Sequence, residues 1–588
     1  MLYVSLLFFI SISFFSSVSY GNQLKVQAIS IMDRVFKDTK IDVQPNAEIK
    51  LWLAKNEYHS AQIAFSSDDS VELKAVSISD LKNSKTDVII KSDNCSIRVP
   101  EYVPVEWNTR ATPKQELDGR APAMYPDPLP DFIPLEFEGS RSIWITCYAS
   151  GNTLAGRYQG KLTVEIDNNN IQLPVELNVW EFSLPEESTL YVTNWLHASQ
   201  LVKQYDVRRY SGKYWELINL VAEDLKAHRQ NVIFTRLNII QSTQLSDGSY
   251  KFDFKHYEKW VGIFLKHGFQ AIEAGPLFHP KSFTIIDSTN RKKIRFNKTK
   301  LKEFLESKKG KLFLSQFLNA LHDKNVQLGI NDMYLQHVGD EARVEERGLY
   351  RDLVKLVHQN MPGVPVIDAT HLEDHQRAGM MDIAVTNMHA DESVAVSKIA
   401  KDWGKWWYTA GFRPRGKMPN RFIDYPLYKM RMISWLSWRY DMSGYLHYAY
   451  NWWQLPDNET PWKQVQYKKY SSGDAWVVYP PRDKTIRAPI SSLRWETFRD
   501  GLEDYEYFVL LKNSVEAMQK SLVDMTDSAE AGYLKLSLAE GQALLDLLNA
   551  QIKSKTEYPR DPLQIEDIRI KIGVWLSANL HSSEVPVQ

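Results

Sequence analysis

The chain has 588 residues, too many for one ordinary core, and its 71 Lys+Arg and 72 Asp+Glu nearly cancel to a formal net charge of −1. No basic tract or charged tail stands out, which excludes nucleic acid as a natural partner. The 18 Trp, 29 Tyr and 24 Phe fit a large core, and equally a site where flat rings stack on sugar faces.

The first stretch, MLYVSLLFFISISFFSSVSYGNQ, holds an apolar run from Val4 to Phe15, the length of a secretory h-region and short for a membrane span. Small residues at Ser19 and Gly21 place cleavage after Gly21, although no Lys or Arg precedes the run. The expectation is a signal peptide over 1–21 and a secreted or periplasmic mature chain with no integral membrane segment. No cysteine follows the cleavage point, which argues against a lipid anchor. The two cysteines, Cys95 and Cys147, allow one disulfide after export or two buried thiols, and two cysteines do not make a metal site.

Residues 22–186 read as β-rich. AEIKLWLAKNEYHSAQIAFSS, SIWITCYAS, YQGKLTVEID and IQLPVELNVWEFSLP alternate apolar and polar residues, and a β-sandwich is the natural expectation. A proline-rich loop, TPKQELDGRAPAMYPDPLPDFIP, interrupts them. FSLPEES leads into a second domain, 187–520, in which short apolar stretches alternate with helical ones. LYVTNWL, NVIFTRLNII, FQAIEAGPLF, VQLGINDMYL, PVIDAT, MDIAVTNMH, KWWYTAG and GYLHYAYNWW supply eight candidate strands, the pattern of a (β/α)8 barrel, with an open doubly wound sheet as competitor. No glycine-rich phosphate loop follows an early strand, so no nucleotide cofactor is expected. SSLRWETFRDGLEDYEYFVLLKNSVEAM reads as a long helix capped by Ser491 or Ser492, and RDGLEDYEYF within it as a salt-bridged face. Residues 521–588 form a helical extension.

In a barrel, chemistry lies where strands end. Within LQHVGDEARVEERGLYRDLV, Asp340 and Glu341 follow the fourth strand, and Leu349, Leu353, Leu356 and Val357 mark the helix behind them. Neighbours on an extended strand point opposite ways, so both acids can face one ligand only if the chain bends, which Gly339 permits. An acidic helix start, favourable to the dipole, is the alternative. His371 and His375 in HLEDH have metal-ligand spacing but no evident third ligand; no metal and no cofactor is expected. HADES at 389–393 reads as a solvated loop, and no G-x-S-x-G elbow occurs. Trp195 with Asn194, Asn238, Asn387, Tyr408, Tyr448, Asn451, Trp452 and Trp453 fall near strand ends. Together they suit an uncharged polyol with apolar faces, so the expected ligand is a sugar.

LWLAKNEYHSAQIAF, AGRYQGKLTVEI…LPVELNVWEFSLP, VGDEA, PNRFIDYPLYKMRMISWLSWRYDMSGYLHYAYNWW and GDAWVVYPP…SSLRWETFRDGLEDYEYFVLL resemble glycoside hydrolase family 123, retaining β-N-acetylgalactosaminidases with a β-sandwich before a (β/α)8 barrel. The resemblance covers most of the mature chain. It implies that Glu341 is the general acid/base and that Asp340 orients the substrate's acetamido group, which acts as nucleophile, in place of the two-carboxylate scheme. It further implies that Asp340 raises the pKa of Glu341, and that Tyr408 or Tyr448 holds the acetamido carbonyl. The family's Asp-Glu-Pro variant is DEA here, with Ala342. A retaining glycosidase with Asp391 or Asp424 as nucleophile, and an inactive sugar-binding protein, are the rival readings.

Overall fold

The structure, a computed structural model, describes residues 24–42, 47–289, 291–341, 343–370, 380–389, 403–411, 416–456, 459–466, 470–523, 525 and 529–580. The leader, His371, His375 and Asp391 lie outside these.

The alternating segments of the first domain form one continuous nine-stranded sheet. Its organiser is the 22-residue strand Glu57–Ile78. The first part of that strand pairs with Lys25–Ile29 and Leu135–Ala149, and its last part with Gly156–Ile166. One face of this sheet encloses Leu51, Leu53, Ile63, Phe65, Ile145, Leu162 and Leu177, each at or near zero exposure because period-2 alternation sends them to the same side. Cys95 and Cys147, register partners on neighbouring strands, are joined by a disulfide.

In the second domain each of the eight expected stretches contains a strand: Tyr191–Asn194, Val232–Thr235, Ala271–Ala274, Tyr334–Gln336, Ile367–Thr370, Ile383–Asn387, Trp406–Tyr408 and Gly444–His447. All their pairings are parallel. The second, third and fourth form a three-stranded sheet; the fifth to eighth and the first form a five-stranded one. A parallel bridge from Gln336 to Val366 links the fourth strand to the entrance of the fifth. Between the first and second strands, side chains stand in for the ladder: Val192 N–H donates to Asn231 Oδ1 (2.7 Å) and Asn194 N–H to Gln230 Oε1 (3.0 Å). Phe234, Ala271, Leu335, Ala369, Val385, Trp406 and Leu446 join Trp195 in one buried cluster fed from all eight strands.

Helices connect the strands. Gly212–Ala227 starts at Ser211, whose hydroxyl accepts from Tyr214 N–H. The stretch after the third strand forms two helices, Lys298–Glu306 and Lys308–Gln327, because Ser307 caps the second. Among the described residues no helix is long and apolar enough to cross a membrane.

The charge-dense RDGLEDYEYF carries the expected salt bridges along its helix, Arg499 reaching Asp500 (3.6 Å) and Glu503 (3.8 Å), but the face is buried. It belongs to the helix Leu493–Val523, capped by Ser492, whose buried polar groups bond to the first domain and to neighbouring helices. Arg569, on the last helix (Pro562–Asn579), pairs with Glu57 of the first domain at 2.5 Å, and Tyr507 donates to the same carboxylate at 2.7 Å. Arg431 makes a two-pronged contact with Asp504 (2.5 and 2.9 Å). Arg494 grips Asp127 of the first domain in the same way (2.9 and 3.0 Å). Such pairs cost desolvation and confer specificity of docking more than net stability, but removing one member strands the other. Arg569→Met is therefore expected to destabilise the protein by about 3–5 kcal/mol in chemical denaturation. Lys571→Ala, cutting the exposed Lys571–Asp567 pair on the same helix, should cost under about 1 kcal/mol.

Candidate active site

The C-terminal ends of the fourth, sixth and seventh strands, through Gln336, Asn387 and Tyr408, lead to Asp340 and Glu341. The bend that lets both face one ligand is made by Glu341 itself, whose φ is +47°, and not by Gly339. A non-glycine residue in the left-handed region is strained, so something must hold it there. The holder is a buried cluster beneath the loop. His337 places Nδ1 2.8 Å from Asp368 and Nε2 2.6 Å from Glu273. Asp368 also accepts from the backbone N–H groups of Val338 (3.1 Å) and Gly339 (3.1 and 3.2 Å) and from the Tyr350 hydroxyl (2.6 Å). Glu273 accepts from Thr193 (2.6 Å) and from the Trp195 indole (2.8 Å). Burial opposes a charge on His337, but its bonds to Asp368 and Glu273 outweigh that and raise its pKa to about 10. With a carboxylate at each ring nitrogen, both carry protons.

Asp340 is open to water, yet protein atoms crowd it on most sides, as at the floor of a concavity. That desolvation, then the charge of Glu341, raises its pKa to about 6. The sequence reading put the elevated pKa on Glu341; the structure puts one on Asp340. Tyr408 donates its hydroxyl to Glu341 Oε1 at 2.8 Å, and Asn387 lies within hydrogen-bonding reach of the same hydroxyl. Burial first, and then Glu341, raises the Tyr408 pKa.

The sequence matches the family described as "Glycoside hydrolase 123, catalytic domain" over residues 195–511, and "Glycoside hydrolase 123 N-terminal domain" over 32–166. The chain belongs to glycoside hydrolase family 123. It is therefore a glycosidase, with carbohydrate as its substrate. Its fold is similar to that of a family 123 glycoside hydrolase from Clostridium perfringens studied for glycolipid glycan hydrolysis: TM-score 0.68, 16% identity, covering 90% of this chain and 99% of that one. A GH10 xylanase from termite gut (TM-score 0.31, 10% identity, 62% of this chain and 90% of that one) and a β-glucuronidase from Parabacteroides merdae (0.27, 9%, 83% and 51%) are too distant to inform the site. No functionally curated protein matches the sequence.

The other expected contacts of this family 123 glycosidase divide. Tyr448 and Trp452 are half-buried and share an aromatic wall with Tyr470, at ring separations of 5.9 and 6.2 Å. Tyr448 donates to the buried Asp474 at 2.8 Å. Trp195 lies buried on Phe234, its indole committed to Glu273. Asn194 accepts from Arg421, and Asn451 accepts from His197 N–H; both are fully buried and serve the frame. Trp453 is buried, donating to Val478 O. Asn238 donates to Lys281 O at 2.8 Å and ties two loops together. Asn451 and Asn238 thus satisfy backbone groups, and Asn194 a buried arginine. Asp424 is no nucleophile: it is buried and accepts from Thr109 N–H (2.6 Å) and hydroxyl (2.8 Å), anchoring the proline-rich loop of the first domain.

Sequence reasoning missed Glu273, His337, Asp368, His197 and Arg236. An acid inside a short apolar strand, AIEA or IDAT, is a signal that could have found the first and third, since a buried charge needs a partner. The His337 clamp has a measurable signature. Its folded pKa of about 10 exceeds the ordinary 6.5, so its contribution to stability is complete below pH 6.5 and lost as pH rises to 10. Glu273→Gln removes one of the two carboxylates, so the alkaline fall in melting temperature should level off at a lower pH than in wild type, measured in thermal melts from pH 6 to 10.

Proposed function

We propose that the protein removes β-linked N-acetylgalactosamine from glycans or glycolipids, with retention, through an oxazolinium intermediate. The observation that carries this is the pairing of Asp340 and Glu341 on one turn at the floor of a concavity, with the Tyr408 hydroxyl between the pair and Asn387. Glu341 gives its proton to the leaving glycosidic oxygen while the substrate's acetamido carbonyl attacks the anomeric carbon. Asp340, ionised, accepts the acetamido N–H and offsets the positive charge of the ring that forms. Glu341 then takes a proton from the incoming water. Tyr408 is the better candidate to bond the acetamido carbonyl, because its hydroxyl already lies on the acid pair at Glu341, whereas that of Tyr448 is turned to Asp474. Glycolipid as the natural substrate follows the Clostridium perfringens enzyme, a likeness of fold.

The same reading takes the eight parallel strands as a closed (β/α)8 barrel; the 336–366 bridge, the side chains between the first two strands and the shared interior cluster support it. It takes the N-terminal sheet as a β-sandwich folded about the Glu57–Ile78 strand. Export after removal of residues 1–21 accords with the Cys95–Cys147 disulfide.

The test is hydrolysis of aryl N-acetyl-β-galactosaminide, with the N-acetylglucosaminide alongside. Galacto-selective turnover that falls about 10²–10⁴-fold in Glu341→Gln is expected; turnover of a glycoside lacking the acetamido group would defeat the mechanism. Because Asp340 must be ionised and its pKa is about 6, kcat/KM should decline as pH falls through about 6, and Asp340→Asn should be impaired at every pH.

A further inference from the structure

We propose that the cleft holds a subsite for an anionic substituent of the substrate, centred on Arg236, so that the preferred sugar carries a sulfate ester or a carboxylate. This rests on the assignment of Asp340 and Glu341 as the reacting pair.

Arg236 directly follows the second parallel strand, at the same end as the acids. It lies within electrostatic range of Asp340. An arginine beside two carboxylates would ordinarily be their counter-ion, but among the described residues no acid comes within ion-pair distance of this one. Its guanidinium instead donates to His197 Nδ1 at 3.1 Å and lies over the Phe234 ring, 5.4 Å from the centroid. Arginine has no acceptor to offer, so Nδ1 of His197 must be the acceptor. The proton is then on Nε2, which donates to Tyr448 O at 2.8 Å. Burial, and then Arg236 itself, lowers the His197 pKa to about 3, so the ring is neutral and gives the guanidinium no counter-charge. Asn451 fixes the His197 backbone. Asn451, His197 and Arg236 thus form a built relay, ending in a partly buried cation at the cleft.

More positive charge gathers on the same side. Arg209 is close enough to Arg236 to repel it. The loop after the third strand is docked on the acid loop through Leu277 N–H to His337 O (3.1 Å) and Phe278 N–H to Val338 O (2.9 Å). That docking carries His279 and Lys281 to the site, and His279 feels Arg236, Lys281 and Lys298 together. Among the described residues Arg209 and Lys281 form no ion pair either; Lys298 pairs with Glu346. Like charges held together in partial burial are costly unless a ligand supplies the opposite charge. A planar guanidinium matches the oxygens of a sulfate or carboxylate two at a time, as a neutral hydroxyl does not.

The experiment measures kcat/KM for aryl N-acetyl-β-galactosaminides that are unsubstituted, 4-sulfated, 6-sulfated or oxidised to the C6 carboxylate. Wild type should favour at least one charged substrate over the neutral one by about tenfold or more, the scale of a charge-assisted hydrogen bond, and added salt should shrink that ratio. In Arg236→Gln the ratio should fall to near one, and in Arg236→Lys only partly. Lys281→Gln, at an exposed position that folding does not need, should lower it in the same direction. Calorimetry with the free sulfated and unsulfated monosaccharides repeats the comparison without turnover. Absence of hydrolysis together with Arg236-dependent binding of a sulfated sugar would defeat the reaction assignment and keep the subsite. Hydrolysis of the neutral substrate with no preference for any charged one, or an unchanged ratio in Arg236→Gln, would overturn the subsite.

Discussion

The site depends on a histidine held between two carboxylates. His337 precedes Asp340 by only three residues, and its imidazolium fixes Asp368 on one side and Glu273 on the other. Asp368 in turn gathers two backbone N–H groups and a tyrosine hydroxyl, so the chain entering the acid pair has no freedom of its own. That constraint is what a left-handed glutamate requires. A strained φ costs of order 1–3 kcal/mol and survives only where the surroundings over-determine it. Take away the clamp and an extended path becomes available, on which Asp340 and Glu341 would point apart.

The clamp is itself braced by the first strand and by what lies behind it. Thr193 in that strand and Trp195 just after it hold Glu273. Asn194, beside them, accepts from Arg421, whose guanidinium also reaches Ala449 O next to the aromatic wall. The Arg421 carbonyl accepts from Arg494, and Arg494 is gripped by Asp127 of the N-terminal domain. A continuous polar path therefore runs from the first domain to the cleft. The same domain sends Thr109 to Asp424 and takes Gln466 onto the backbone of Glu106 and Trp107. The N-terminal domain is thus part of the frame that sets the loops, with its buried Asp127 and Glu57 matched to Arg494 of the long helix and Arg569 of the last one.

This division between frame and site explains what could be read from the sequence. The strands were legible because each is a short apolar run bounded by turn residues; the acid pair, which locally reads as well as an acidic helix start, became the lead candidate through the family resemblance. The aromatic wall was half legible: the rings of Tyr448 and Trp452 are half-buried and in contact, but Trp195 and Trp453 are core. Amides misled, because Asn194 and Asn451 at strand ends look like sugar ligands and in fact satisfy backbone and arginine groups. RDGLEDYEYF has the salt bridges its spacing suggests, but not the exposure. Its periodicity is that of a surface helix, and nothing local reveals that Tyr507 bonds to Glu57, or that Arg494 just before the stretch bonds to Asp127. Arg236 and His197 were invisible as a pair, since a cation after a strand is ordinary until its neighbour is known to be neutral.

The charges around the pair are consistent with one orientation of chemistry. Burial and then the neighbouring Glu341 raise the pKa of Asp340, while beneath it the clamp sets a lowering imidazolium against two raising carboxylates. To one side stand Arg236 and its cationic neighbours, too far for an ion pair yet near enough to act electrostatically. A carboxyl poised at about 6 between these influences is mostly ionised at neutral pH but poorly solvated. Such a group gains most when a positive charge develops beside it, because the charge arrives without displacing a tightly held water shell. Asp340 is thus better suited to stabilise a cationic intermediate than to bind a neutral ground state.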